Sequence, residues 1–302
     1  LVPPEDSASS ASGGGLAYGD GRLFVTSAFG TLTALDPETG ARLWQQDIDA
    51  PTTAPPSVHD GLVYAISGDE VAWALDTETG RVRWQLSGRA DIHNVLGGPA
   101  PAISEKYAVF AFGAGEVQGA FRKGGLRLWE AQVAGERRGV ASARVRDVTG
   151  DPVVVGDRVY VGTHSGRMVG LSLGSGERIW TAEEGPLNPV WPAGGSLFLV
   201  SDRNELVRLS ASDGARIWGH ALPLFTARKP KNQAGIVGHY GPVLAGGQLV
   251  LASADGRLRF FDPASGQASG VVDLPGGAAS NPVVAGDTLY VVSKSGQLHA
   301  FR

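Results

Sequence analysis

Apolar residues along this chain recur in short runs with a period of two, and each run ends at a glycine-bearing turn. The clearest stretch is 152–180, PVVVGDRVYVGTHSGRMVGLSLGSGERIW. Its first apolar run stops at Gly156-Asp157, and 159–161 resumes with β-branched and aromatic residues until His164-Ser165-Gly166 breaks it. Residues 168–173 alternate apolar with small or polar side chains, Gly174-Ser175-Gly176 turns the chain, and 177–180 returns it to a closing Trp180. No 3.6-residue period fits, so the predicted elements are short strands joined by tight turns.

The same unit recurs through the sequence. Aligned on the terminal Trp, it spans 16–44, 56–84, 101–129, 152–180 and 189–218, closing on Trp44, Trp84, Trp129, Trp180 and Trp218. A sixth copy, 242–270, carries Gly270 in the Trp position, and a seventh begins at Pro282 and stops at Arg302 before a last strand is written. Closing positions fall 38 to 52 residues apart, the period of a four-stranded propeller blade.

Turn chemistry accounts for the recurrence. Ahead of the third strand of each unit stands Gly30, Gly115, Gly166, Gly256 or Gly296, with Glu70 and Asn204 as departures. A left-handed backbone is required there, which Asn tolerates and Glu does not, so the turn of the second unit is expected to differ. Four residues before the closing position sits Gly40, Gly80, Gly125, Gly176, Gly214 or Gly266. In the clearest copies this Gly ends a D-x-x-[TS]-G turn that starts at Asp36, Asp76 or Asp262, whose carboxylate can accept turn N–H groups.

The repeats run through all 302 residues without a linker-like break, which predicts one propeller domain, 1–302, with 1–15 as an N-terminal connecting segment rich in Pro, Ser and Gly. With 44 Gly and 18 Pro against 42% hydrophobic residues, the chain is turn-rich yet apolar enough to bury a core. A net charge of −4 with dispersed basic residues argues against nucleic acid as a partner. The absence of Cys removes disulfides and thiolate chemistry from the chain as given, and no run of 18 apolar residues is present to span a membrane as a helix. A propeller whose last unit lacks its fourth strand closes by pairing its two ends, so about one further repeat is expected upstream of Leu1.

Two connections are longer than the others, 130–151 and 220–241. Long loops on a rigid scaffold are where partner contacts concentrate, although a longer outer strand with a solvated turn serves as well. The first holds the densest basic segment, Arg137, Arg138, Arg144 and Arg146, and the second holds Arg228, Lys229 and Lys231. Solvated loop charge explains both, and the alternative for the first is a protein-docking surface shared with Asp147.

The D-x-x-[TS]-G turn followed by a Trp resembles the repeat of the pyrroloquinoline-quinone (PQQ) propeller superfamily, in which that Trp docks against a neighbouring blade. Within it, RVRDVTGDPVVV at 144–155, GGPAP at 97–101 and the ending NPVVAGDTLYVVSKSGQLHAFR are similar to the BamB family of the outer-membrane β-barrel assembly (BAM) machinery. That resemblance implies an all-β propeller of four-stranded antiparallel blades, usually eight. It also implies a periplasmic lipoprotein, held at the outer membrane through an upstream lipid anchor. Such a protein is a non-enzymatic scaffold that binds the periplasmic POTRA domains of BamA and meets unfolded outer-membrane proteins. The family's contact loops fall here on His93, Val95 and Leu96 ahead of Gly97, and on Arg144, Asp147 and Val148. Leu96 stands where the family has Arg, and Thr149 where it has a second Asp.

Two other readings stay open at this point. The superfamily includes quinone-dependent dehydrogenases and ligand-binding propellers, and a sensor domain of a larger membrane protein is a third option. Against a cofactor site, five of the seven Trp residues are explained by the repeat, and Trp73 and Trp191 have strand-like surroundings that favour packing. Asp36, Asp76 and Asp262 occupy turn positions, and the six His residues are scattered singly, with His239 in HYGP the one whose surroundings matter most. No catalytic, cofactor-binding or metal-binding residue is expected.

Overall fold

The period-two runs form strands throughout the computed structural model, which describes residues 13–89, 99–133, 148, 150–163, 165–226, 233 and 235–302. Seven consecutive antiparallel sheets follow the seven repeats, six of four strands and a last one of three among the described residues. The first shows the plan, with strands Leu16–Gly19, Arg22–Ser27, Thr31–Leu35 and Arg42–Asp47 paired in chain order as an up-and-down meander. The rest occupy 57–87, 102–132, 153–182, 191–221, 239–273 and 283–301. These are the blades of a β-propeller.

The chain groups into two compact units, Leu1–Ile179 and Trp180–Arg302, with the division inside the last strand of the fourth blade. In the first unit the apolar clusters join neighbouring blades. Phe24, Leu32 and Ala34 of blade one meet Val63, Trp73 and Leu75 of blade two, and Tyr64 and Ala74 of blade two meet Phe110 and Ala120 of blade three. Val109 and Val117 of blade three meet Val159, Val169 and Leu171 of blade four. In the second unit Phe198 and Leu206 pack on Leu249, Leu251 and Phe261, and Val250 and Leu258 pack on Leu289 and Val291. Each fully buried side chain of this kind contributes about 1.5–3 kcal/mol, so the core is spread over blade-to-blade faces.

Burial explains the strand sequences. The second strand of blade two, Leu62–Ser67, is buried at every position, as a strand covered on both faces must be. The fourth strands are outer edges. Arg42–Asp47 and Val82–Ser87 alternate exposed with partly buried residues, and Ala268–Asp273 is exposed throughout.

Turn geometry follows the glycines with one correction. The residues ahead of the third strands all take positive φ: Gly30 at 75°, Gly115 at 76°, Gly166 at 86°, Gly256 at 84°, Gly296 at 77° and Asn204 at 59°. Glu70 also does so, at 64°, and its N–H donates to Ser67 as the Gly30 N–H does to Ser27. The second turn therefore does not differ. Its strain, of the order of 1–2 kcal/mol, is offset because Glu70 Oε2 accepts the Gly113 N–H and its carbonyl accepts the Gly88 N–H.

Hairpins at Asp20-Gly21 and Asp60-Gly61 have positive φ at both residues, the type I′ geometry that suits two twisted strands. The long connection 220–241 is itself a small hairpin at its base. Phe225 bridges Ile236, and Thr226 and Gly235 are joined by a backbone hydrogen bond.

Candidate docking surface

The residues that the family motifs select, His93, Val95 and Leu96 in one segment and Arg144 and Asp147 in another, lie outside the described residues. The structure does describe the chain on either side of both segments. Before residue 90, Gly88 rests on the Phe112 ring so closely that an added Cβ would stand 2.5 Å from it. The Arg89 N–H then donates to Glu116 Oε2 at 2.9 Å, and the Arg89 guanidinium lies 3.0 Å from Glu130 Oε1. Glu116 is fully buried beside Gln118, whose amide nitrogen donates both to Glu116 and to the Ser87 carbonyl.

After residue 98, Pro99 is buried and the Ala100 N–H donates to Asp151 Oδ1 at 2.7 Å. Asp151 is partly buried, and loss of water around it pushes its carboxyl above the usual range, with the Ala100 N–H pulling the other way. Beyond the second segment, Val148 forms an isolated bridge with Thr163, and Val153–Val155 opens blade four.

The five repeat Trp residues share one arrangement. Each indole N–H donates to a turn carbonyl of the following blade: Trp44 to Thr77 at 3.0 Å, Trp84 to Arg122 at 3.0 Å and Trp129 to Leu173 at 2.8 Å. Trp180 reaches Ala211 at 3.1 Å and Trp218 reaches Ala264 at 3.0 Å. Each ring also lies against the turn glycine there, so that a Cβ on Gly80, Gly125, Gly176, Gly214 or Gly266 would meet it at 2.5–2.8 Å. Positive φ and close approach thus both demand glycine at these five positions.

In blade six the sizes across the pair are exchanged. Gly270 faces Phe260, where Trp44 faces Ala34 and Trp84 faces Ala74. Phe260 lines an open groove of about 380 Å³ with Val250, Leu289 and Phe301.

The leftover residues Trp73, Trp191 and His239 are occupied in packing. Trp73 is 7% exposed and donates to Ser67 Oγ at 2.9 Å. Trp191 packs against both clusters of the second unit. His239 is buried, with Nε2 2.9 Å from the Pro223 carbonyl and Nδ1 2.7 Å from Ser253 Oγ. The carbonyl can only accept, so Nε2 carries the proton, and burial lowers the imidazole pKa.

Asp36 and Asp76 accept two N–H groups and a Thr hydroxyl within their own turns, and Asp262 accepts the N–H and hydroxyl of Ser265. Those bonds hold all three carboxyls below the usual range, led by the hydroxyl in each case.

One structural residue escapes sequence reasoning. Arg122 is 1% exposed and donates to the carbonyls of His59 and Glu105 and to Asp60 Oδ2, tying blade two to blade three. The available signal is the turn FRKGG at 121–125, which lacks the Asp of its counterparts.

Comparison with known proteins agrees with this architecture. The family model described as outer membrane protein assembly factor BamB matches residues 5–220. Among curated relatives, the chain is 27% identical over 290 residues to outer membrane protein assembly factor BamB of Yersinia pestis, covering 95% of this chain and 71% of that protein. It is 25% identical to the BamB of Moranella endobia, with 96% and 71% covered, and 27% identical to that of Shewanella oneidensis, with 94% and 69% covered. The crystal structure of BamB from Moraxella catarrhalis superposes with a TM-score of 0.81 at 20% identity, covering 95% of this chain and 83% of that one, which supports the propeller fold. With the family model spanning more than half of its length, this chain belongs to the BamB family of outer-membrane protein assembly factors.

Proposed function

We propose that this chain is a non-enzymatic scaffold of the outer-membrane β-barrel assembly machinery that docks the periplasmic POTRA domains of BamA. The observation that carries the reading is the family match over residues 5–220, which includes both segments holding the contact motifs. Curated relatives bear the name of assembly factor, and that role takes the place of quinone-dependent oxidation and of a sensor role. The protein then works in the periplasm, peripheral to the outer membrane, with a lipid anchor as the means of attachment and unfolded outer-membrane proteins as further clients.

The mechanism is that of a pre-ordered platform. Indole-to-carbonyl bonds lock each blade to the next, so a partner that docks on them meets a rigid base. In this reading Val95 and Leu96 supply the apolar anchor, and Arg144, Asp147 and His93 supply polar contacts. Arg144 suits such a rim because its planar fork pairs with carboxylates while its stem covers apolar surface.

Titration calorimetry of the chain against the POTRA fragment of BamA from the same organism tests this. The expected result is saturable binding that Leu96→Glu or Arg144→Glu weakens at unchanged circular dichroism. A folded chain that fails to bind overturns the reading.

A further inference from the structure

We infer that the outer strand of blade six, Ala268–Asp273, is an edge at which an extended segment of an unfolded polypeptide adds as a further strand, with an aromatic side chain seated across Gly270. The inference rests on the proposed function and deepens it, since it gives the unfolded clients a place to bind. Among the described residues this strand ends its sheet, with Arg257–Phe261 on one side and no strand on the other. Such an edge presents unpaired N–H and C=O groups, which natural proteins shield with charge, twist or cover. The outer strands of blades one to five are shielded in this way. Each carries an arginine one or two places before its Trp, at Arg42, Arg83, Arg127, Arg178 or Arg216, and each is pinned to the following blade by that Trp. Blade six has Ala268 and Ser269 at the arginine positions and Gly270 at the Trp position. All of its outer strand is exposed, Val271 and Val272 included, and Asp273 at the far end carries its only charge.

The same exchange opens a place for a side chain. Gly270 pairs with Phe260, and a Cβ built on Gly270 meets nothing closer than Phe260 itself, at 3.9 Å. Phe260 lines the groove of about 380 Å³ with Val250, Leu289 and Phe301. Leu289 pairs with Phe301 in blade seven as Leu249 pairs with Phe261 in blade six, and Trp218 of blade five packs against that earlier pair. The slot that holds an indole between blades five and six is therefore left open between blades six and seven. Residues directly opposite each other on neighbouring strands share a face. A residue added opposite Gly270 thus shares the face of Phe260, and an aromatic ring there covers the glycine and reaches the groove. Main-chain bonds to the edge give such a strand affinity whatever its sequence, and the ring fixes its register. A second copy of this chain is a poor occupant. Its own outer strand offers Ala268, Ser269 and Gly270, too small to fill the groove, and two such short edges bury far less than the roughly 1,000 Å² of a stable complex between folded proteins.

The probe is a capped, dye-labelled peptide of about ten residues that alternates threonine with valine and has one central tryptophan. Its binding to the whole chain is followed by fluorescence anisotropy, with amide exchange over 268–273 read in parallel. Strand addition predicts saturable binding and slower exchange at alternate amides of that strand. Replacing the peptide's tryptophan by alanine weakens binding about tenfold, the scale of one buried aromatic side chain, and N-methylation of its alternate amides on the pairing side abolishes it. On the protein, Ala268→Arg gives blade six the arginine of its sister edges and weakens binding about threefold or more. Phe260→Ala combined with Gly270→Trp recreates the Ala34 and Trp44 pair of blade one, fills the slot from within and weakens binding about tenfold. Both changes follow the repeat, and circular dichroism with thermal unfolding checks that they fold.

A peptide that does not bind, that binds without protecting 268–273, or whose binding either change leaves as it was, overturns the inference. A chain that self-associates in sedimentation and becomes monomeric with Ala268→Arg carries a second copy on this edge, which overturns it as well. Should the double variant fail to fold, Ala268→Arg decides the matter: weaker peptide binding supports the edge and unchanged binding overturns it. The POTRA titration on the same proteins keeps the two readings apart. A chain that binds the POTRA fragment and no peptide loses this inference alone, and one that binds the peptide and no POTRA fragment keeps the edge site and loses the docking reading.

Discussion

Substitution of Gly119 by Ala has a sign that depends on whether Trp129 is present. Gly119 lies directly opposite Trp129 in blade three, and a Cβ built there would stand 2.2 Å from the indole Cε2. Ordinary carbon contacts are about 3.5–4.0 Å, so the ring would have to retreat by more than about 1 Å. It cannot retreat cheaply. Its N–H is held by the Leu173 carbonyl at 2.8 Å, and a Cβ on Gly176 would lie 2.6 Å from the same ring system, which shows how tightly that turn already approaches it. Gly119→Ala should therefore destabilise by about 1–3 kcal/mol, the usual cost of overpacking.

Trp129→Ala alone should cost about 3–5 kcal/mol, from the cavity and from the Leu173 carbonyl losing its donor. With the indole gone, the three atoms nearest the Gly119 methyl are removed, and because Gly119 lacks positive φ, Ala there restricts the unfolded chain without backbone strain. Gly119→Ala in that background should be neutral or should stabilise by up to about 1 kcal/mol. Urea unfolding followed by far-ultraviolet circular dichroism on the four members of the cycle measures this, since fluorescence would report the deleted Trp itself. A coupling energy near zero, with Gly119→Ala equally harmful in both backgrounds, would refute the account of how the blades interlock.

The same logic separates two demands on the turn glycines. Gly40 and Gly176 have nearly the same φ, 71° and 70°, but only Gly176 faces an indole. Gly40→Ala should lower stability by about 1–2 kcal/mol and Gly176→Ala by at least about 1 kcal/mol more, measured as the difference in urea midpoints. At Glu70, Ala loses the carboxylate bond to Gly113 and keeps the positive φ, whereas Gly loses only the bond. Glu70→Gly should therefore unfold at a higher temperature than Glu70→Ala, by the equivalent of about 1 kcal/mol. His239, neutral in the fold because burial lowers its pKa, contributes stability that is complete above the ordinary imidazole range and declines as pH falls through that range. Thermal unfolding from pH 8 to pH 5 should show a decline that His239→Gln reduces.

Blade number, strand order and turn type were legible in the residues because each rests on local chemistry. Gly at positive φ, Asp bonding its own turn and alternating apolar strands act within a few positions of sequence, so a repeat of about forty residues carries them in full. Tertiary structure decided whatever depends on a distant partner. Glu70 tolerates a left-handed backbone because Gly113 and Gly88, from elsewhere in the chain, bind its carboxylate and its carbonyl. Arg122 turns inward because the carbonyls of His59 and Glu105 and the carboxylate of Asp60 converge on it, and nothing in the string FRKGG announces those acceptors.

The candidate docking surface divides along the same line. Its motif residues, His93, Val95, Leu96, Arg144 and Asp147, were selected by family resemblance and lie outside the described residues. The bond between Ala100 and Asp151, in the described chain beside them, could be seen only once the chain was folded. A hydrogen bond across 51 positions has no local signature, since it exists only because adjacent blades bring its two ends to the same place.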